Sequence, residues 1–195
     1  ELNTTTEKAL ALGKYASFFV YTSSYEQTQY ADRYLEELLK LSEELGIREA
    51  FNEDQLRELA NPDPSIDKSA VLTKVYLKAT EQMYSEGRAL LVSYMVLGGW
   101  IQDMEISYAV CANYITEKSV SLKLYDQSYS YYNCTRLLYE IKKDSGKAAL
   151  VLNKLDTIKP TIEQMVKSRG EIDRELFNNL KERIAVLEQE IFSVQ

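Results

Sequence analysis

Apolar residues recur along most of the chain at the three- and four-residue spacing that is typical of amphipathic helices. No run alternates apolar and polar positions between turn residues, so the pattern predicts no strand. We expect an all-α fold of seven or eight helices, arranged as a bundle or array of antiparallel helical hairpins. The predicted helices cover approximately residues 5–23, 25–45, 52–60, 65–85, 87–116, 119–143, 147–167 and 171–193.

Turn residues separate these helices. Asn52 opens the short third helix and Gln55 stands at its capping-box position. In the sequence NPDPS, residues 61–65, each proline disfavours helical geometry in the residue before it. The connections are short and no linker-like segment divides the chain, so we predict one helical domain over residues 1–195. Four glycines stand where the periodicity breaks, as helix-terminating glycines do: Gly46, Gly87, Gly146 and Gly170.

The sequence supports a specific prediction for each of the last three helices. The sixth is apolar on most sides, because leucines surround its tyrosines, and we expect it to be central. The seventh contains Pro160, which predicts a kink or a short break. The eighth has a single apolar stripe that packs on the core. That stripe consists of Ile172, Leu176, Leu180, Ile184, Leu187 and Ile191.

The stretch GRALLVSYMVLGGWIQDMEISYA, residues 87–109, is strongly apolar. Its longest run without a charge has 14 residues, whereas a helix needs about 20 to span a bilayer. Glycine within a helix costs about 1 kcal/mol relative to alanine, so Gly98 and Gly99 need a structural reason. Both this helix and the first contain leucine, glycine and then an aromatic residue, so we predict that they pack with Gly13 and Gly98 or Gly99 at the contact. The alternative is a ligand on bare backbone beside Trp100.

Charge and composition exclude several classes of function. The net charge is -7 and the sequence contains no histidine. An acidic chain is poorly suited to nucleic acid or to anionic membrane surfaces. Without histidine, the commonest general base and the commonest metal ligand are missing. Phosphate-binding loops, EF-hand loops and hydrolase nucleophile motifs are also missing. We therefore expect no metal and no cofactor, and we name no catalytic residue.

The best candidate for a ligand site is the tyrosine-rich sixth helix. Its tyrosines 125, 129, 132 and 139 share one face, while Tyr131 lies on another. Tyrosine suits half-buried helix contacts, and it also suits recognition of peptides and glycans. Asp103 and Glu105 follow Trp100 in a helix that looks buried, but they point in different directions and form no carboxylate pair. The candidate ligand-binding residues are Trp100, Asp103, Tyr125, Tyr129 and Tyr132.

The two cysteines, Cys111 and Cys134, are predicted not to form a disulfide. They lie on different sides of the turn between the fifth and sixth helices, at heights that differ by roughly 13 Å at 1.5 Å per residue. A disulfide needs Cα atoms within about 7 Å. We expect both thiols to be shielded from solvent by neighbours such as Tyr108, Tyr131 and Leu138.

Several short motifs follow one another along most of the chain. Leu-Gly-x-Tyr begins at Leu12, KLSEELGI covers residues 40–47, FNEDQLRELANPDPS covers 51–65, and LGGW begins at Leu97. In this order they resemble a family of uncharacterised all-helical proteins that Gram-negative bacteria export, often as lipoproteins. The resemblance implies a helical fold and a periplasmic or outer-membrane-anchored location, with the export signal outside this chain. It implies no activity and no site residues.

Two functional hypotheses remain. The first is an exported, non-enzymatic binding module that holds a peptide, a glycan or a partner protein in a tyrosine-rich groove between hairpins. The second is a small-molecule carrier or hydrolytic enzyme, with a closed pocket near Trp100, Asp103 and the tyrosines of the sixth helix. The sequence leaves the oligomeric state open. Exposed tyrosines on the sixth helix would favour the first hypothesis, and a convergent set of titratable groups would favour the second.

Overall fold

The computed structural model describes residues 2–192 and confirms the predicted all-α fold. In that range it contains eight α-helices and no strand. A single turn of 3₁₀ helix, Arg48–Ala50, precedes the third of them. The helices are α1 (Thr5–Ser24), α2 (Thr28–Glu44), α3 (Glu53–Ala60), α4 (Lys68–Ser85), α5 (Ala89–Cys111), α6 (Lys118–Ile141), α7 (Gly146–Lys167) and α8 (Arg174–Phe192).

The chain divides into two compact units, Glu1–Gly99 and Trp100–Gln195, with the boundary within α5. In the first unit α1 packs on α2, and α3 on α4. In the second unit α6 packs on α7, and α7 on α8. Each unit has its own buried apolar residues. The prediction of one domain over residues 1–195 stays a prediction.

Side-chain caps begin several helices, and the sequence predicted the one at Asn52. Asn52 accepts a hydrogen bond from the Gln55 backbone at 2.8 Å, and the Gln55 side chain accepts one from Asn52 in return. Thr4 and Glu7 form a second capping box at the start of α1. The backbone N–H groups of Thr4 and Asn3 lower the pKa of Glu7, because they stabilise its charged form. These caps satisfy donors that a helix start leaves without partners.

Glycines confirm the predicted contact between α1 and α5 within the first unit. A Cβ atom on Gly13 would overlap the carbonyl oxygen of Met95, and one on Gly98 would overlap that of Leu10. Gly99 is less crowded, since its Cβ would meet the nearest atoms at 3.7 Å. The Ser17 hydroxyl donates to the Gly99 carbonyl at 3.2 Å. The two backbones therefore touch directly, and this contact explains two of the mid-helix glycines.

The helix-terminating role holds for three of the four glycines. Gly46, Gly87 and Gly170 have positive φ angles of 67°, 73° and 84°, which glycine adopts without strain. For Gly146 the prediction is wrong, because this residue begins α7. Ser145 caps that helix by accepting a hydrogen bond from the Ala148 backbone at 3.3 Å. The break in the apolar periodicity before α7 thus marks the start of that helix, which Ser145 caps.

The second unit differs in part from the expectations for α6, α7 and α8. α6 is not buried on most sides, since its buried residues lie on one face and Leu122 is 37% exposed. α8 buries Phe177, while Leu176 is half-buried. α7 continues through Pro160 without a break, and the proline lies at the exposed surface. The buried face of α6 consists of Ser121, Leu124, Ser128, Tyr131, Cys134 and Leu138.

The two thiols are free, as predicted. Cys134 is fully buried, and burial raises the pKa of its thiol to about 12. Cys111 is only half-buried, which departs from the expected shielding of both thiols. It is the last residue of α5. Burial also raises the pKa of the Cys111 thiol.

Within the described part of the chain, no helix combines the length and the apolar character that crossing a membrane requires. This result agrees with the short uncharged run in the sequence.

The contact between α1 and α5 predicts unequal costs for three glycine-to-alanine substitutions. Gly13→Ala and Gly98→Ala force backbone shifts, so each is expected to lower the free energy of unfolding by about 3 kcal/mol. Gly99→Ala is the matched control, because its Cβ has room and alanine favours helix by about 1 kcal/mol. Urea denaturation followed by circular dichroism measures the difference. Equal stability of all three variants would show that the contact is not close.

Candidate functional site

Trp100 and Asp103, which are three residues apart on α5, differ in their exposure to solvent. Trp100 is only 3% exposed, and its indole N–H donates to the Gln127 carbonyl at 3.2 Å. Asp103 lies at the exposed surface, contrary to the expectation that this stretch is buried, and Glu105 is half-buried. A ligand would reach the indole only if neighbouring side chains moved. The assignment of both residues to a ligand site stays a prediction.

Tyr125 and Tyr129 pair with each other on α6. Their rings meet edge to face with centroids 6.1 Å apart. The hydrogen bond to Tyr129 raises the pKa of Tyr125, because the bond favours the neutral phenol. Tyr129 is 63% exposed and Tyr125 is half-buried. The structure therefore brings these two candidates together, one turn before Tyr132.

Tyr132 belongs to a different set of rings, which extends from the core of the second unit to its surface. The Trp100 ring centroid lies 5.6 Å from that of Tyr131, and Tyr131 lies 5.3 Å from Tyr132. Trp100 and Tyr131 are buried, whereas Tyr132 is 40% exposed. We call these three residues the aromatic stack. Offset and edge-to-face ring pairs each stabilise by about 1 kcal/mol beyond the burial of their area.

A hydrogen bond fixes the middle ring of the stack. The Tyr131 hydroxyl donates to the Leu155 carbonyl of α7 at 3.1 Å. Burial, followed by the negative charge of Asp156, raises the pKa of Tyr131 above its usual range. The hydroxyl therefore stays protonated and remains a donor at physiological pH. The hydrogen bond restricts rotation of the Tyr131 ring, against which the ring of Tyr132 packs edge to face.

An open groove of about 500 Å³ runs between α6 and α7 beside the stack. We call it the α6–α7 groove. Its α6 side includes two exposed tyrosines, Tyr132 and Tyr139, and its α7 side is mainly polar. Tyr125, Tyr129, Trp100 and Asp103 do not line it. The lining residues are Tyr131, Tyr132, Thr135, Arg136, Tyr139, Lys142, Ala149, Leu152, Asn153, Asp156 and Lys159.

The charges of the groove are mixed in sign. Arg136 is neutralised by Glu140 at 2.8 Å and is also held by Asn133 at 3.0 Å. The Lys142 ammonium lies 3.5 Å from the centre of the Tyr139 ring, which is a cation–π contact. Burial and then the Coulombic effect of Glu163 raise the pKa of Tyr132. Glu140, Asp156 and Glu163 thus set three carboxylates, one of them in the lining, against the three basic side chains of the lining.

The groove offers side chains that can bind a ligand. No group of three or more metal-binding side chains occurs among the described residues. Asp156 is the single carboxylate in the lining, and no thiol accompanies it. A catalytic centre needs convergent titratable groups in one cavity. The groove offers instead two exposed rings and several hydrogen-bonding side chains.

Sequence reasoning missed the α7 side of the groove and the Tyr139 end. Asn153, Asp156 and Lys159 look like ordinary solvated residues when α7 is considered alone. The available signal was the short connection between α6 and α7, which makes them antiparallel neighbours. Tyr139 of α6 and Ala149 of α7 both line the groove that this hairpin forms. The face shared by Tyr132 and Tyr139 was recognised, but its partner across the groove was not.

A second open cleft, of about 520 Å³, lies in the first unit between the end of α1 and the residues that connect α3 and α4. Hydroxyl and carboxylate side chains of residues 62–69 line part of it. It lacks exposed rings backed by a buried stack. We therefore regard the α6–α7 groove as the candidate site.

The aromatic stack predicts two different costs at Tyr131. Tyr131→Phe removes only the hydroxyl and is expected to lower the free energy of unfolding by about 1 kcal/mol. Tyr131→Ala also removes the ring and is expected to cost about 3–5 kcal/mol. Urea denaturation followed by the fluorescence of Trp100 measures both. Tyr129→Phe is the exposed control, and a Tyr131→Phe cost no larger than that of this control would contradict the role of the hydroxyl.

Comparisons with known proteins do not assign this chain to a family. The chain matches no protein-family model, and neither a curated protein nor a solved structure is significantly similar to it. A functional conclusion therefore rests on the residues of the chain and on their arrangement.

Proposed function

We propose that the chain is an exported, non-enzymatic binding module and that the α6–α7 groove is its ligand site. The observation that carries the proposal is the exposed ring of Tyr132, which a buried, hydrogen-bonded stack holds in place beside polar side chains. An exposed aromatic ring is a good anchor when it is already fixed, because binding then costs little side-chain entropy. The partner classes considered are a peptide, a glycan or a protein.

Two features of the groove support binding in particular. Tyr132 and Tyr139 are 40% and 63% exposed and lie on one face of α6. Tyrosine offers apolar ring area together with a hydroxyl, and it is enriched in recognition surfaces for that reason. Asn153 and Asp156 add hydrogen-bonding groups across the groove. A ligand with both apolar and polar surface would find partners on both walls.

The alternative, a carrier or hydrolytic enzyme with a closed pocket, receives less support. Trp100 is enclosed by its own contacts, while Asp103 is at the surface. Three tyrosines of α6, Tyr129, Tyr132 and Tyr139, are exposed rather than enclosed in a pocket. Nothing in this arrangement brings a nucleophile and a base together.

Export is proposed on the resemblance of the sequence to exported helical proteins. The fully buried Cys134 suits an oxidising compartment, since a buried thiol is not accessible for oxidation or mispairing. The half-buried Cys111 is less well protected. The resemblance therefore remains the main support for this part of the proposal.

Groove binding is tested by titrating the folded chain with three probes of different class. These are a neutral oligosaccharide, an acidic hexapeptide of glutamate, and a neutral peptide of equal length. We expect at least one probe to shift the backbone amide resonances of α6 and α7 near the groove. Tyr132→Ala combined with Tyr139→Ala is expected to weaken that probe at least tenfold, about 1.4 kcal/mol.

Tyr129→Ala is the matched control, because Tyr129 and Tyr139 are both 63% exposed on α6 and only Tyr139 lines the groove. The control should bind as tightly as the unchanged chain. If none of the three probes shifts resonances around the groove, the proposed binding function is wrong.

The proposed export is tested by cell fractionation. Cells that produce the protein from its own complete gene can be separated into cytoplasmic, periplasmic and membrane fractions. We expect the protein in the periplasmic or the outer-membrane fraction, because the resemblance implies that location. Recovery only with a cytoplasmic marker enzyme would contradict the proposed export, and it would leave the groove proposal untouched.

A further inference from the structure

We infer that the ligand of the α6–α7 groove is a neutral oligosaccharide, an inference that rests on the binding function proposed above. It follows from three properties of the groove: its balance of charge, the spacing of its rings and the polar side chains on its α7 wall. Each property separates a neutral sugar chain from the other partner classes.

The charge balance disfavours a strongly charged ligand. Arg136 is bound to Glu140, and Lys142 rests on the Tyr139 ring. Lys159 and Asp156 carry opposite charges on the α7 side of the groove, although no ion pair joins these two described side chains. A polyanion such as an acidic peptide would gain from clustered basic side chains of one sign. The mixed pattern here offers donors and acceptors without a net attraction for either sign.

The spacing of the rings sets the size of the ligand. Tyr132 and Tyr139 are seven residues apart on α6, which corresponds to about 10.5 Å at 1.5 Å per residue. This separation is close to the length of a disaccharide in an extended chain. The C–H face of a sugar ring packs on an aromatic face, which is apolar and electron-rich. An oligosaccharide can therefore cover both tyrosines, whereas a monosaccharide can cover only one.

The α7 wall supplies the partners that sugar hydroxyl groups need. Within the residues that the structure describes, no hydrogen bond or ion pair holds the side chains of Asn153, Asp156 and Lys159, which all line the groove. Carboxylate oxygens accept, ammonium groups donate, and an amide does both. A hydroxyl is itself both donor and acceptor. The apolar face of an amphipathic partner helix would instead leave these polar groups without partners, which costs binding energy.

Contacts that restrict the two exposed tyrosine rings on the α6 side of the groove strengthen the inference. Tyr132 is fixed through Tyr131, and Tyr139 is held by Lys142 on one face of its ring. The opposite face of Tyr139 remains available, since the residue is 63% exposed. Rings fixed before binding lose little entropy when a sugar stacks on them.

The test uses isothermal titration calorimetry with linear neutral hexasaccharides of glucose, xylose, mannose and N-acetylglucosamine. We expect at least one of them to bind, at least tenfold more tightly than its own monosaccharide. Tyr132→Ala, Tyr139→Ala and Asn153→Ala should each weaken it at least fivefold. Changing the salt concentration from about 0.05 to 0.5 M should alter the dissociation constant less than twofold, because no net charge is involved.

The controls separate the possible outcomes. Tyr129→Ala should bind the sugar normally, and a loss equal to that of Tyr139→Ala would overturn the assignment to the groove. Circular dichroism confirms that each variant is folded. Binding of only the acidic or the neutral peptide at the groove would overturn the carbohydrate inference and leave the binding function standing. Failure of both peptides and all hexasaccharides to bind at the groove would overturn both.

Discussion

One buried hydrogen bond, from the Tyr131 hydroxyl to the Leu155 carbonyl, positions the aromatic stack of the second unit. A buried polar group must find a partner, and an unmade bond would cost about 1–3 kcal/mol. Because the partner of Tyr131 lies on α7, the bond connects α6 and α7 at one defined point. Its ring also contacts Trp100 of α5 and Tyr132 at the surface. A constraint set in the core thus determines where an exposed ring stands.

The first unit is organised by a different constraint, the direct contact of two helix backbones. Gly13 and Gly98 leave no room for a side chain between α1 and α5. The contact is intolerant of added atoms because the obstacles are carbonyl oxygens rather than the ends of flexible side chains. A specific hydrogen bond thus positions side chains in one unit, and the absence of side chains permits a close helix contact in the other.

Much of this could be predicted from the sequence, because the signals were local or periodic. Helical spacing identified eight helices, and the cost of glycine within a helix identified the contact between α1 and α5. The burial of α6 was misjudged because tyrosine and leucine look equally apolar in a pattern. Tyrosine can keep its ring at the surface, and Tyr129 does so. The α7 wall of the groove was missed because Asn153 and Asp156 acquire meaning only opposite Tyr132 and Tyr139.

The enclosure of Cys134 also bears on the lifetime of the protein. Its thiol is fully buried in the native fold, so an oxidant can reach it only in a molecule that has opened. Oxidation to a sulfinic or sulfonic acid would place a charged group in an apolar site, and that molecule could not close again. Each opening therefore carries a small risk of permanent loss. Wherever oxidants are present, the survival of this chain is governed by how often its second unit opens.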